Sequence, residues 1–161
     1  MSDDATRTGP AVRMLYCRCA FAQVVPADGK GAVLEGLAGS GQGFEAVADL
    51  CDMAARRDPH LADLAALAKG GATLRIAACW PRAVRGLFHL ADSPLGDAGV
   101  EILNMRTLPA ERVLAGMLSG DPGAVAESAA GRDDAAAEQA AAGRIAALGQ
   151  LPQSTPEGET R

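Results

Sequence analysis

The sequence predicts an α/β fold: a small open parallel sheet of about four strands with helices, flavodoxin-like or half-Rossmann in type, followed by an Ala-rich C-terminal tail. Three observations predict it. Four short apolar or alternating runs stand at 12–17, 43–50, 73–79 and 99–104. Segments with apolar residues at helical spacing separate them. Pro59, Pro81 and Pro109 stand where three of those helices begin, a position at which a missing N–H costs little. Strand and helix therefore alternate, which implies parallel strands joined by right-handed crossovers.

The elements follow in order. Residues 1–11 are polar and contain Gly9-Pro10, so they read as a flexible arm. Val-Arg-Met-Leu-Tyr-Cys at 12–17 reads as a buried strand. Residues 26–38 carry Lys30, Val33, Leu34 and Leu37 at helical spacing and stop at Gly39-Ser40-Gly41. Residues 43–50 alternate Phe44, Ala46, Ala48 and Leu50 with more polar neighbours, which predicts a second strand ending at Cys51. A short helical piece at 52–57 comes next. Asp58-Pro59 then caps and opens a helix with Leu61, Leu64 and Leu67 on its apolar face, ended by Gly70-Gly71. Thr-Leu-Arg-Ile-Ala-Ala-Cys at 73–79 is a third strand. Pro81 opens a helix with Val84, Leu87, Phe88 and Ala91 on one side, and Ser93-Pro94 ends it. Residues 99–104 make a fourth strand, and Pro109 opens a helix with Val113, Leu114 and Met117. The cysteine-bearing domain is thus expected at 12–118.

Residues 119–161 differ in composition. Twelve of the 26 positions from 123 to 148 are Ala, which favours helix but offers no large apolar face. This stretch reads as a marginal helix with a disordered end at 152–161.

Composition excludes several functions. Aromatic residues are 3% of the chain, too few for base-stacking platforms. The net charge of −5 argues against nucleic acid or an anionic membrane as partner. No apolar run reaches the length of a membrane span, and the N-terminus lacks the apolar core of an export signal. A cytoplasmic protein is expected. In that reducing compartment Cys17, Cys19, Cys51 and Cys79 are expected to be free, catalytic or metal-bound rather than disulfide-paired.

Three of the cysteines fall where predicted strands end, at 17, 51 and 79, and Cys19 lies in the first loop. In a parallel sheet those ends share one edge, the edge where open α/β sheets place their sites. Four thiols distant in sequence are therefore expected in one region. Helices are predicted to start after Cys51 and Cys79. Arg18, Arg56, Arg57, Arg82 and Arg85 crowd the same segments, and cations and helix N-termini both lower thiol pKa. Arg18, Arg56, Arg82 and Trp80 are expected to border a bound cofactor. The arginines read equally well as a solvated helix face, and Cys51 and Cys79 as small buried hydrophobes. Four thiols suit an iron–sulfur cluster, a Cys₄ zinc site, or a redox dithiol at Cys17-Arg18-Cys19. The paired C-x₂-C knuckles usual for zinc are absent. His60 and His89 read as helix-surface residues.

Tyr16-Cys17-Arg18-Cys19, Cys51 followed by Arg56-Arg57-Asp58-Pro59, and Ala78-Cys79-Trp80-Pro81 together carry a resemblance. Over roughly residues 12–105 the chain resembles the small iron–sulfur (delta) subunit of methyl-viologen-reducing hydrogenase, which links hydrogenases to heterodisulfide reductase. It departs from that family's pattern in three places: the cysteine-rich first motif is reduced to Cys17-Arg18-Cys19, Trp80 stands for the family's His, and Val84 for the second cysteine of the third motif. The resemblance implies a [2Fe–2S] cluster on Cys17, Cys19, Cys51 and Cys79. It further implies a non-catalytic electron-transfer subunit with larger flavin or iron–sulfur oxidoreductase subunits as partners. A thiol-based redox protein and a zinc-bound interaction domain remain the alternatives.

Overall fold

The computed structural model describes residues 11–130. The residues before 11 and after 130, which hold most of the expected arm and Ala-rich tail, lie outside the described residues. The elements are β1 (Val12–Cys17), α1 (Ala27–Gly39), β2 (Glu45–Val47), α2 (Leu50–Ala55), α3 (Pro59–Lys69), β3 (Thr73–Ala78), α4 (Pro81–Leu90), β4 (Val100–Asn104), α5 (Ala110–Ser119) and α6 (Pro122–Ala130). The four strands form one parallel sheet in the order β2-β1-β3-β4. The chain steps one way from β1 to β2, then crosses back to β3 and β4. With right-handed crossovers this reversal sends α1 to one face of the sheet and α2, α3 and α4 to the other. α5 joins α1 on the first face, and α2 touches α4 on the second. This is the α/β architecture the sequence predicts.

The core lies on both faces of β1 and β3. Leu15, Tyr16, Leu74, Ile76 and Ala77 are almost wholly buried, as central parallel strands require. Tyr16 keeps its hydroxyl satisfied by donating to the Lys30 carbonyl at 2.9 Å. Two glycines allow close approach of helices: a Cβ on Gly116 would meet Leu103 of β4, and one on Gly36 of α1 would meet Leu114 of α5. Gly36 therefore belongs in α1 despite its low helix propensity.

Two boundaries differ from the sequence reading. The second strand is only Glu45–Val47, and α2 begins at Leu50, before the expected start at 52. The reason is Asp49, whose side chain accepts the Cys51 backbone N–H at 2.8 Å and caps the helix. Leu50 is buried as a first-turn helical residue, so the alternation through 50 is not a strand signal. Cys51 accordingly stands in the first turn of α2 rather than at a strand end.

The second difference is α6, inside the stretch read as a marginal helix. Ala124 and Ser128 are buried, and α6 lies against β4, the edge strand. The Asn104 N–H, which has no neighbouring strand, donates to the Ser128 hydroxyl at 3.0 Å, and that hydroxyl donates to the Ala124 carbonyl at 2.8 Å. Small residues let the helix come close enough to cover this open edge. The compact body therefore continues past residue 118.

Candidate metal centre

The site is built where β1 and β3 end, at the point where strand order reverses. β1 ends at Cys17, whose register partner is Val47. The chain then stays tied to the β2 side. Arg18 N–H donates to Val47 O at 2.9 Å, and Ala20 N–H to Ala48 O at 3.1 Å. Between these anchors Cys19 takes a left-handed backbone, φ 48°, while its side chain is buried. That conformation costs a non-glycine residue about 1–3 kcal/mol. The Lys30 ammonium donates to the Cys19 carbonyl at 3.4 Å.

Cys17 is buried, and the backbone N–H groups of Leu50 and Cys19 point at its sulfur. Cys79 follows β3 directly, is half-buried, and receives the N–H of Trp80. Cys51 is exposed at the start of α2 and donates its thiol proton to Asp49. It lines a shallow pocket of ≈ 470 Å³ with Phe21, Ala22, Asp49 and Asp52. Asp49 is buried and ties three pieces together, accepting N–H bonds from Phe21 at 3.1 Å and Ala22 at 3.4 Å as well as from Cys51. Burial pushes its carboxyl up, but those hydrogen bonds outweigh burial and hold it below the usual carboxylate range.

The four thiols are electrostatic neighbours. Cys51 feels Cys79 and Cys17, Cys79 feels Cys19, and Cys17 feels Cys19. The sheet thus brings all four to one edge. Burial raises the Cys17 and Cys79 thiols. Burial, then Asp49, pushes Cys51 up to about 11. Backbone N–H groups lower Cys17 and Cys79 and Arg106 lowers Cys79, but burial outweighs them, and the charge acting most on Cys51 is the Asp49 carboxylate, which raises it.

The arginines explain why. Arg56 pairs with Asp52 of its own helix at 2.7 Å. Arg57 lies 3.5 Å from Asp92, and Arg85 3.8 Å from Asp97. Arg18 is exposed and acts on the Tyr16 phenol, which burial raises. Arg82 is exposed in the first turn of α4. The cation that does act on a thiol is Arg106, which opposes the burial of Cys79 and stacks 4.6 Å over the Trp80 ring. Trp80 is half-buried at the start of α4, directly after Cys79, and Arg18 stands between Cys17 and Cys19 in the chain. Sequence reasoning missed Arg106 and Asp49. Arg106 carries no local signal. Asp49 does: an Asp two residues before Cys51 and ahead of a helical run has N-cap spacing. His60 is half-buried with Nε2 against the Glu45 carboxylate, and His89 is exposed on α4.

The donor set fits an iron–sulfur cluster in chemistry: four thiols, two buried, with backbone N–H groups aimed at sulfur. It does not preform a single-ion site. Among the described residues no group of three or more His, Cys, Asp or Glu side chains is gathered to hold a metal ion. No helix of the described residues is long and apolar enough to cross a membrane. No family model, curated protein or solved structure matches the chain.

Proposed function

We propose that this chain is an iron–sulfur electron-transfer module. It is a non-catalytic subunit that relays electrons between larger flavin or iron–sulfur oxidoreductase subunits in the cytoplasm. Cys17, Cys19, Cys51 and Cys79 hold one cluster, expected as [2Fe–2S]. What supports the reading is the placement of four cysteines by the ends of β1 and β3 and the start of α2, near enough for their charges to influence one another.

Two physical arguments favour a cluster over the alternatives. A redox dithiol needs a thiolate near neutral pH, but the thiols at 17, 51 and 79 are raised, not lowered. Raised thiols become thiolates when a metal cation supplies the compensating charge. A single zinc ion needs four sulfurs about 3.8 Å apart, from a Zn–S bond near 2.3 Å in a tetrahedron. In a [2Fe–2S] cluster inorganic sulfide bridges the irons and each iron takes two thiolates, so the four thiols need to meet only in pairs. The bound cluster supplies one-electron transfer. The chain excludes water at Cys17 and Cys19, aims N–H groups at sulfur, and places the Trp80–Arg106 pair beside Cys79.

The test is anaerobic purification. A brown protein with iron and acid-labile sulfide at about two each per chain is expected, and a Cys79→Ser variant should lose both. Colourless protein with one equivalent of zinc, or with reversibly titrating thiols and no metal, refutes the reading. Unchanged iron in the variant removes Cys79 from the ligand set.

A further inference from the structure

A cleft of ≈ 740 Å³ opens between the end of β1, the loop that follows it and the first half of α1. That is the size of a small-molecule site. The charged residues lining it are Arg18 and Lys30, both cations, in a chain whose net charge is −5. Asp28, on the first turn of α1, is exposed and does not line it. Neither cation is paired with a carboxylate among the described residues. Lys30 reaches back along α1 and donates to the Cys19 carbonyl at 3.4 Å, a long bond that leaves the other ammonium protons available. Arg18 is exposed and acts on the Tyr16 phenol, which also lines the cleft and on which no carboxylate acts.

The loop walling the cleft is held in place before any ligand arrives. Arg18 and Ala20 N–H donate to Val47 and Ala48, Phe21 and Ala22 N–H to Asp49, and Gln23 N–H to the Cys19 carbonyl at 3.3 Å. Cys19 and Gln23 both take a left-handed backbone, φ 48° and 50°, which those bonds maintain. A site preformed in this way loses little ordering entropy on binding. Val24, Val25 and Leu34 give the cleft an apolar side, and Val24 is 42% exposed. The first-turn N–H groups of α1 open beside the two cations, because Pro26 supplies no side-chain cap. Two cations without acidic partners, set against an apolar wall, suit an anion that carries an apolar body. A phosphate group matches them best, since it takes the guanidinium fork and the ammonium point charge together.

We propose that this cleft binds a small phosphate monoester with an apolar body, its phosphate held by Arg18 and Lys30 and its body against Val24, Val25 and Leu34. The site is separate from the iron–sulfur reading and stands or falls without it.

The full, metal-free chain is titrated calorimetrically at low ionic strength with phenyl phosphate, inorganic phosphate and phenol. Phenyl phosphate should bind saturably at one site, inorganic phosphate about tenfold more weakly for want of the apolar contact, and phenol not measurably. Arg18→Gln and Lys30→Gln should each weaken phenyl phosphate about tenfold. Arg13→Gln, an exposed cation near the other end of β1, should leave the affinity unchanged. In ¹H–¹⁵N spectra of the natural chain, phenyl phosphate should shift the amides of Arg18, Ala27 and Lys30. The proposal is overturned by no saturable binding, by equal affinity for phenyl phosphate and either fragment, or by unchanged affinity in either cation variant. Should a variant fail to fold, the spectra of the natural chain decide alone: shifts confined to residues outside the cleft overturn the assignment.

Discussion

Replacing Asp49 with Asn isolates the electrostatics of the thiol edge. The Asp49 carboxylate accepts three backbone N–H bonds and the Cys51 thiol proton. Asparagine keeps one oxygen to cap α2, since Asn is as good an N-cap as Asp. It carries no charge, however, and turns an N–H₂ toward groups that need an acceptor. Cys51 stands at about 11 against an ordinary 9, through burial first and Asp49 second. At pH 8 those values correspond to about one part in a thousand and about one part in ten as thiolate. The full displacement therefore slows alkylation about 100-fold, because only the thiolate attacks. Burial survives the substitution, so only part of that factor returns. We expect iodoacetamide to modify Cys51 about three- to tenfold faster in Asp49→Asn, measured on the metal-free chain by mass spectrometry of the Cys51 peptide. In both proteins the rate should climb with pH, because a raised thiol ionises late. The rise in the variant should come at lower pH. The loop should also loosen, because two N–H bonds lose their acceptor at about 1 kcal/mol each. An unchanged or slower rate in a variant that still unfolds cooperatively would refute the assignment of Asp49 as the group acting on Cys51.

Two further substitutions probe the packing that holds this edge. Ser128→Ala removes the acceptor of the buried Asn104 N–H and should lower stability by about 1–3 kcal/mol in urea titration; a midpoint equal to the natural chain would show that α6 does not cap the sheet edge. Gly116→Ala places a Cβ 2.6 Å from the fully buried Leu103 and should destabilise by about 1–3 kcal/mol even after the helix-propensity gain. Gly36→Ala meets the half-buried Leu114, which can turn aside, so its cost should be near zero; the opposite ranking would refute the packing account.

The sheet was legible because its central strands are continuous apolar runs that no other element explains. β2 was overextended because Leu50 continues the alternation by chance: it is buried by the first turn of α2, and the capping geometry of Asp49 outranks the period-two pattern. The packing of α6 was not legible because its buried residues are Ala124 and Ser128, and a face made of small side chains resembles no face at all in composition. The places of Cys17 and Cys79 could be read from strand ends and topology, whereas that of Cys51 depends on the Asp49 cap that starts α2 before it. The chemistry of the thiols could not be read in that way. The charges that act on them come from Asp49 and Arg106, which depend on a cap and a turn, whereas Arg56, Arg57 and Arg85 are taken up by nearby acids.

Every strand pairing in this sheet joins segments separated by a crossover; none is a hairpin. β1 must find β3 across the whole of α1, β2, α2 and α3 before Cys17 and Cys79 are neighbours. In the unfolded chain the four sulfurs do not form a chelating loop, unlike the short knuckles of small zinc domains, which metal can nucleate. Loop-closure entropy has to be overcome by core burial first, which makes folding slow for a domain of this size. Under the proposed function, a cluster would therefore be loaded onto a closed sheet edge rather than a nascent chain.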